Sequence, residues 1–388
     1  MAHSERRPRW LWFLVENSLL LLVGATAALF WVNVEPGSYH TVSESLRFIV
    51  NDIGMVFFFG IAAKEVFEAT LPGGSLSSPR TSALPLLAAV GGMAGPAAVY
   101  IGLVHWEGVP ELVNGWAIPC ATDIAFSYLV ARRVYGTSHP AVPFLLMLAI
   151  VDDALGLLIL AIFYPSGPVH PLDGVILVGA GVLIALVMRR RGVRSFWPYV
   201  LFAGGASWLG LLRGGLHPAL ALVPIVGFMP HAPRDPHEQT AAAVDRADTL
   251  SEFEHWWKTP VEVVLLFFGL VNAGVSLRAV GTGTWLVVAA ILLGKPLGIG
   301  LSVSLGRAFS LEMPGSVTWR DVVTVGVIAS IGFTVALFFA TAAFPPGPLL
   351  DQTKMGALLS LAASVVAIGL AAVLGVGRYG SSSGVRSE

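Results

Sequence analysis

Residues 148–160, LAIVDDALGLLIL, set two carboxylates side by side, Asp152 and Asp153, in a run of leucine, isoleucine and valine. A third acid, Asp123, stands in WAIPCATDIAFSYL, and one amine, Lys295, in AAILLGKPLGIGLSVSL. A charge at the centre of a bilayer costs about 2.5–3.5 kcal/mol even on the mildest insertion scale, so such residues read as functional and each needs a partner. Helical neighbours point about 100° apart, so Asp152 and Asp153 are expected to serve two partners, one facing a water-filled cavity and the other a neighbouring helix. Two close carboxylates in poor solvent resist double ionisation, and such a site holds either protons or a cation. Lys295 lies mid-run, which disfavours snorkelling to an interface; its natural counter-charge is Asp152 or Asp153.

Pro119 removes a backbone donor and disfavours helix at Ile118, and Thr122 and Asp123 follow at once. Freed carbonyls, a hydroxyl and a carboxylate then cluster at one depth, the oxygen set that a hard cation such as sodium prefers. The plainer alternative is a kinked helix whose Thr and Asp satisfy its own backbone. A second interrupted stretch, GVIASIGFTVALFFA, carries Ser330, Gly332 and Thr334 but no acid. Lesser candidates are Asp52, Glu65, Glu68, His217, Glu254, His255 and Glu262. A lone histidine in an apolar helix is more often a packing residue, although an unperturbed pKa of about 6.5 suits pH sensing. For Glu65, Glu68, Glu254 and His255, solvated charge near the cytoplasmic surface is the default explanation.

The elements that must position these groups follow from composition. Of 388 residues, 55% are hydrophobic and 12% charged, about half the charge of a soluble chain; mean hydropathy is +0.76. The class is an all-α polytopic membrane protein. The apolar run Trp10 to Val34 is longer than the roughly 7–15-residue core of a signal peptide and is expected to be a retained first span. Further spans of about 20 apolar residues are expected near 46–69, 83–104, 115–134, 141–163, 173–189, 196–212, 217–230, 260–275, 284–306, 321–343 and 354–376, about twelve transmembrane helices in all. Alternate loops then hold 18 of the 23 lysines and arginines, which places both termini in the cytoplasm by the positive-inside rule. The chain is expected to be a single transporter domain, 1–388, with residues 231–260 as a cytoplasmic loop ending in an amphipathic helix. Helices 3–5 (about 83–163) and 10–12 (about 284–376) are expected to form an inverted-topology repeat, each with an interrupted middle helix, the usual pointer to a transport site. In that geometry Asp123 offsets two positive helix ends and Lys295 two negative ones.

A net charge of −1 gives no argument for nucleic acid, and the single Cys120 forms no internal disulfide. No phosphate loop, HExxH or Cys/His cluster occurs, so ATP hydrolysis is excluded and no cofactor is expected.

At these residues the chain resembles the NhaA-type sodium/proton antiporter family. The resemblance runs in order through NDIGMVFF (51–58), GWAIPCATDIAF (115–126), LMLAIVDDALG (146–156), GLHPALA (215–221), LFFGLVNAGVSL (266–277), GKPLGI (294–299) and IGFT (331–334). It implies twelve helices with crossed, partly unwound fourth and eleventh helices in a bacterial inner membrane. It also implies electrogenic exchange of sodium or lithium for a larger number of protons. Asp153 would be the principal cation ligand, assisted by Thr122. Asp152 would be the second essential carboxylate, paired with Lys295. Asp123 and Lys295 would offset the broken-helix dipoles, and Glu65, His217, Glu254 and His255 match pH-response regions. Two departures bear on regulation: Lys258 stands where a second histidine is expected, and GIAAKEVFEATL replaces a more basic cluster, which implies shifted or weak pH activation. A homodimer is compatible with the family, but residues 39–51 are too short for its dimerisation β-hairpin.

Three rival functions have discriminating features. A sodium-coupled symporter of organic anions would not need Lys295 paired to an aspartate. An intramembrane aspartyl protease needs a GxGD-type motif on a separate helix, which is absent. A cation channel would pass ions without moving protons.

Overall fold

The computed structural model describes residues 19–231, 248–313 and 315–380, without the side chains of 79–81. The expected first span therefore lies partly, and the loop 232–247 wholly, outside the described residues. The helices are α1 (Leu20–Val34), α2 (Pro36–Thr70), α3 (Pro79–Glu107), α4 (Ile124–Tyr135, after a 3-10 stretch Pro110–Cys120), α5 (Ala141–Phe163), α6 (Pro171–Arg190) and α7 (196–214). There follow α8 (Thr249–Asn272), α9 (Thr282–Ala308), α10 (Trp319–Ala329), α11 (Phe333–Ala343) and α12 (Pro348–Tyr379). No strand occurs among the described residues, including 39–51, which lie within α2. Six helices, α2, α3, α5, α6, α9 and α12, are each long and apolar enough to cross a membrane, and α10 with α11 form a seventh, bent by 50°.

Local chemistry sets the ends. Asp248 caps α8 by accepting the Ser251 N–H at 2.7 Å, and Thr318 and Asp321 form a reciprocal capping box at the start of α10. Gly108 ends α3 in a left-handed conformation (φ 67°) that a side chain would disfavour. Leu172, Val175, Leu301, Val365 and Val373 point outward, as lipid-facing residues should.

The second span starts at Pro36 rather than near 46, and two further boundaries differ from expectation. Residues 217–230 do not form a spanning helix but a 3-10 turn, Pro218–Leu220, and one α-turn, Val223–Val226. Pro218, Pro224 and Pro230 each remove a donor; Leu220, Leu222, Ile225 and Val226 are buried against protein, which accounts for the segment's apolarity. At the other boundary, α8 starts at Thr249 and passes through Pro260, so the end of the expected loop is the first three turns of a longer helix.

The helices pack as two groups. One contains α3, α4, α5 and α9–α12; the other contains α1, α2, α6, α7 and α8. The groups meet chiefly where α2 packs on α5 and α8 on α11. Close approach within each depends on glycine. A Cβ on Gly298 of α9 would collide with the Gly91 backbone of α3, and one on Gly95 with the Gly294 carbonyl. The sequences GGMAG (91–95) and GKPLG (294–298) thus supply two facing small-xxx-small faces. They bring the α9 backbone, and Lys295 with it, against α3.

Candidate functional site

The chain breaks twice at the same place. After Cys120 the backbone is extended through Ala121 to Asp123, and α4 starts at Ile124. Between α10 and α11, Ser330 to Gly332 carry the second break. The two breaks are tied backbone to backbone, the Asp123 N–H donating to the Ile331 carbonyl at 2.6 Å. A Cβ on Gly332 would come within 2.7 Å of the Ala121 carbonyl, so only glycine permits this approach.

Asp123 lies between two helix N-termini. It caps α4 by accepting the Phe126 N–H (3.3 Å), and its other oxygen accepts the N–H of Thr334 in the first turn of α11 (3.2 Å) and the Thr334 hydroxyl. Thr122 donates through its hydroxyl to Asp152 Oδ2 (2.6 Å) or to the Ala329 carbonyl at the end of α10 (3.0 Å). Ser127 reaches the Ile328 carbonyl (3.1 Å). The orphan groups that two interrupted helices leave in lipid are thereby satisfied by hydroxyls and one carboxylate.

Lys295 is fully buried. Its ammonium donates to the Cys120 carbonyl at 2.5 Å, the C-terminal end of the 3-10 stretch, and lies 3.2 Å from Asp152 Oδ2. Pro296 follows at once; its missing donor and bulky ring disrupt regular hydrogen bonding, and residues 290–294 widen into a π-turn. Ser330 satisfies the Ile291 carbonyl of that turn at 3.0 Å.

The adjacent aspartates diverge. Asp152, 3% exposed, points into this network, with one oxygen on Thr122 and Lys295 and the other, Oδ1, without a hydrogen-bond partner. Asp153 is half-buried and opens into a cavity of about 960 Å³, mouth included, between the two helix groups. Thr122, Asp123 and Thr334 line it from one helix group, and Glu65, Glu254 and Lys258 from the other. Carboxylates and hydroxyls at the base of a wet cavity can ligate a small hard cation, and the same oxygens can take protons instead.

Other expected candidates fall elsewhere. Glu65 and Glu254 reach this cavity, but His217 and His255 do not line it. The His217 ring lies 4.7 Å from that of Phe338, centroid to centroid, with Nδ1 buried and without a partner. His255 is exposed.

Two features escaped sequence reasoning, and two residues that it named carry more than it gave them. Lys64, counted there as a loop charge, is buried and pairs with Glu68 (2.8 Å) and Glu254, tying α2 to α8. Asn51 and Asn272 exchange reciprocal amide hydrogen bonds (3.1 and 2.8 Å) in the interior. Thr334 is the principal partner of Asp123; its signal was a hydroxyl in the second interrupted helix, at the counterpart of Thr122. Glu262, ranked low, is buried and lines the cavity.

Known proteins resemble this chain over most of its length. The family model described as Na+/H+ antiporter 1 matches residues 14–374. A Na(+)/H(+) antiporter NhaA of Geobacter sulfurreducens is 47% identical over 372 residues, covering 94% of this chain and 97% of that protein. A Na(+)/H(+) antiporter NhaA of Jannaschia sp. is 46% identical, covering 92% and 96%. Among solved structures, the sodium proton antiporter MjNhaP1 from Methanocaldococcus jannaschii at pH 8 aligns over 92% of each chain with a TM-score of 0.54 and 15% identity, a likeness of fold alone.

Proposed function

The chain belongs to the Na(+)/H(+) antiporter NhaA family, and from that premise we propose how its charged residues carry out the exchange. It is an integral membrane secondary transporter of Na+ and H+, not an enzyme. In the proposed mechanism Asp153 is the principal ligand of Na+ or Li+, with Thr122 and Asp152 completing the oxygen set. Lys295 holds Asp152 while the site is empty of metal and releases it when the cation arrives. Asp123 offsets the positive ends of α4 and α11, and Lys295 the negative end at Cys120.

The observation that carries this reading is the divergence of the two acids. Asp153 alone of the pair opens to the cavity, while Asp152 is held by Lys295 and Thr122. A cation entering from the cavity meets Asp153 first and competes with protons for its oxygens. The mouth carries Glu254 and Lys258, which the positive-inside rule assigns to the cytoplasm; this arrangement fits an inward-open state. In alternating access the site, once outward-facing, takes protons and releases the cation. The crossed broken helices of two inverted repeats supply the movable centre. If more protons than cations move per cycle, the membrane potential contributes about 2.3 kcal/mol per net charge per 100 mV.

Everted bacterial membrane vesicles test this. Adding sodium or lithium should discharge an imposed proton gradient, and Asp153→Asn should abolish the response. Wild-type-like exchange in that variant would remove Asp153 from the site, and sodium-driven uptake of an organic anion instead would favour symport.

A further inference from the structure

Asp153 lines two cavities rather than one. The wide one, described above, holds the acids and hydroxyls. The second encloses about 340 Å³, and Asp153 is the one polar side chain among the described residues that line it. The two share Phe58, Ala62, Asp153 and Val335, so they meet at a neck where Asp153 stands. Each helix places the second cavity on the same side of that neck. On α5 it takes Gly156, Leu157 and Leu160, all beyond Asp153; on α11 it takes Phe338 and Phe339, beyond Thr334. On α2, antiparallel to them by span order, it takes Phe58 and Phe59, which precede Glu65. α5 starts just after Arg132 and Arg133, an end that the positive-inside rule assigns to the cytoplasm, so the second cavity extends from Asp153 toward the periplasm.

Aromatic rings close it. Phe59 of α2 meets Phe338 of α11 edge to face, with centroids 4.9 Å apart and planes at 83°. Phe268 of α8 stacks behind Phe338 at 6.1 Å and 23°. Phe59, Phe338 and Phe339 are each at most 4% exposed. The contact of Phe59 with Phe338 joins the two helix groups, and these groups must move against each other for the site to change sides. An apolar constriction stops an ion by staying dry. Gly156 leaves room within it, since a Cβ there would meet only the Phe339 ring, at an ordinary 3.9 Å.

We propose that Phe59 and Phe338 form the outward gate of the transport path, and that the cavity they close is the first stage of the periplasmic route from Asp153. In the inward-open state their edge-to-face contact keeps this cavity dry. When the helix groups shift, the rings part, the cavity wets, and Asp153 exchanges its cation for protons with the periplasm. This rests on the antiport mechanism above and adds to it the residues that shut the opposite side of the site.

The test uses the full chain in right-side-out vesicles. Leu160→Cys puts a thiol in the closed cavity, and its labelling by a charged, membrane-impermeant methanethiosulfonate reads access from the periplasm. Wild type, whose single Cys120 is buried, gives the blank. Adding Phe59→Ala or Phe338→Ala should speed labelling about five- to tenfold, because each removes the aromatic contact. Phe144→Ala, buried near the cytoplasmic start of α5, should not. Gly156→Leu should fill the cavity: exchange should fall about tenfold or more, while the solubilised protein still releases protons on binding sodium. Labelling no faster in either gate variant than in Phe144→Ala, or exchange at the wild-type rate in Gly156→Leu, would overturn the proposal. A lack of sodium-driven proton movement in wild-type vesicles would sink the antiport mechanism instead, and the labelling rates read the gate independently of it.

Discussion

The ammonium of Lys295 and the carboxylate of Asp152 lie 3.2 Å apart, neither more than 3% exposed, and both reach the broken segment between the 3-10 stretch and α4. Lys295 does so through the Cys120 carbonyl and Asp152 through the Thr122 hydroxyl. The pair therefore braces an unwound backbone while leaving Asp153, one residue away, open to water. Removing either member of a buried pair leaves an uncompensated charge, at a cost of about 3–5 kcal/mol.

That cost gives the first prediction. Lys295→Ala should lower the thermal unfolding midpoint in detergent and impair exchange. Lys295→Arg should lose less, and Lys295→Ala combined with Asp152→Asn should regain part of the stability. Melting curves of the four proteins decide it; an unaltered midpoint in Lys295→Ala contradicts the brace.

Thr334→Val removes a hydroxyl from Asp123 while keeping its shape. Hydrogen bonds to charged groups contribute about 1.5–3 kcal/mol, so the variant should unfold earlier and exchange more slowly. Thr341→Val, whose hydroxyl reaches only the Phe338 carbonyl in its own helix, serves as a control expected to differ little. Equal behaviour of the two variants in a thermal-shift and transport comparison would contradict the role given to Thr334.

The contact of α3 with α9 admits no side chain at Gly298. Gly298→Ala should destabilise by about 1–3 kcal/mol through overpacking, whereas Gly300→Ala, which faces open space, should not. Folded yield by size-exclusion chromatography and the unfolding midpoint distinguish them.

Asn51→Leu and Asn272→Leu should each leave a buried amide unsatisfied and cost about 1–3 kcal/mol. The double variant should lose clearly less than the sum, because both halves of the pair vanish together. Additive losses in a double-mutant cycle would show that the amides act independently.

Much of this was legible in the chain. Asp123, Asp152, Asp153 and Lys295 stand out because charge in apolar helices is costly, and Pro119 and Gly332 mark the two interruptions by their effect on the backbone. The divergence of Asp152 and Asp153 follows from helical geometry alone. What was not legible depends on distant packing. Asn51 and Asn272 are 221 residues apart, and nothing local to either amide signals the other. Lys64 reads as a loop charge because periodicity cannot reveal that Glu254, from another helix, reaches it. Residues 217–230 read as a span because hydropathy does not separate burial in protein from exposure to lipid. Pro260 reads as a boundary, although the helix tolerates it.

The central claim is that sodium and protons displace one another at oxygens around Asp153. Sodium titrated into weakly buffered, detergent-purified protein, with released protons followed by a pH dye, measures that displacement directly. Release should saturate with sodium, require more sodium as the starting pH falls, fail with potassium and vanish in Asp153→Asn. Saturable sodium binding without proton release, or release that persists in Asp153→Asn, would contradict it.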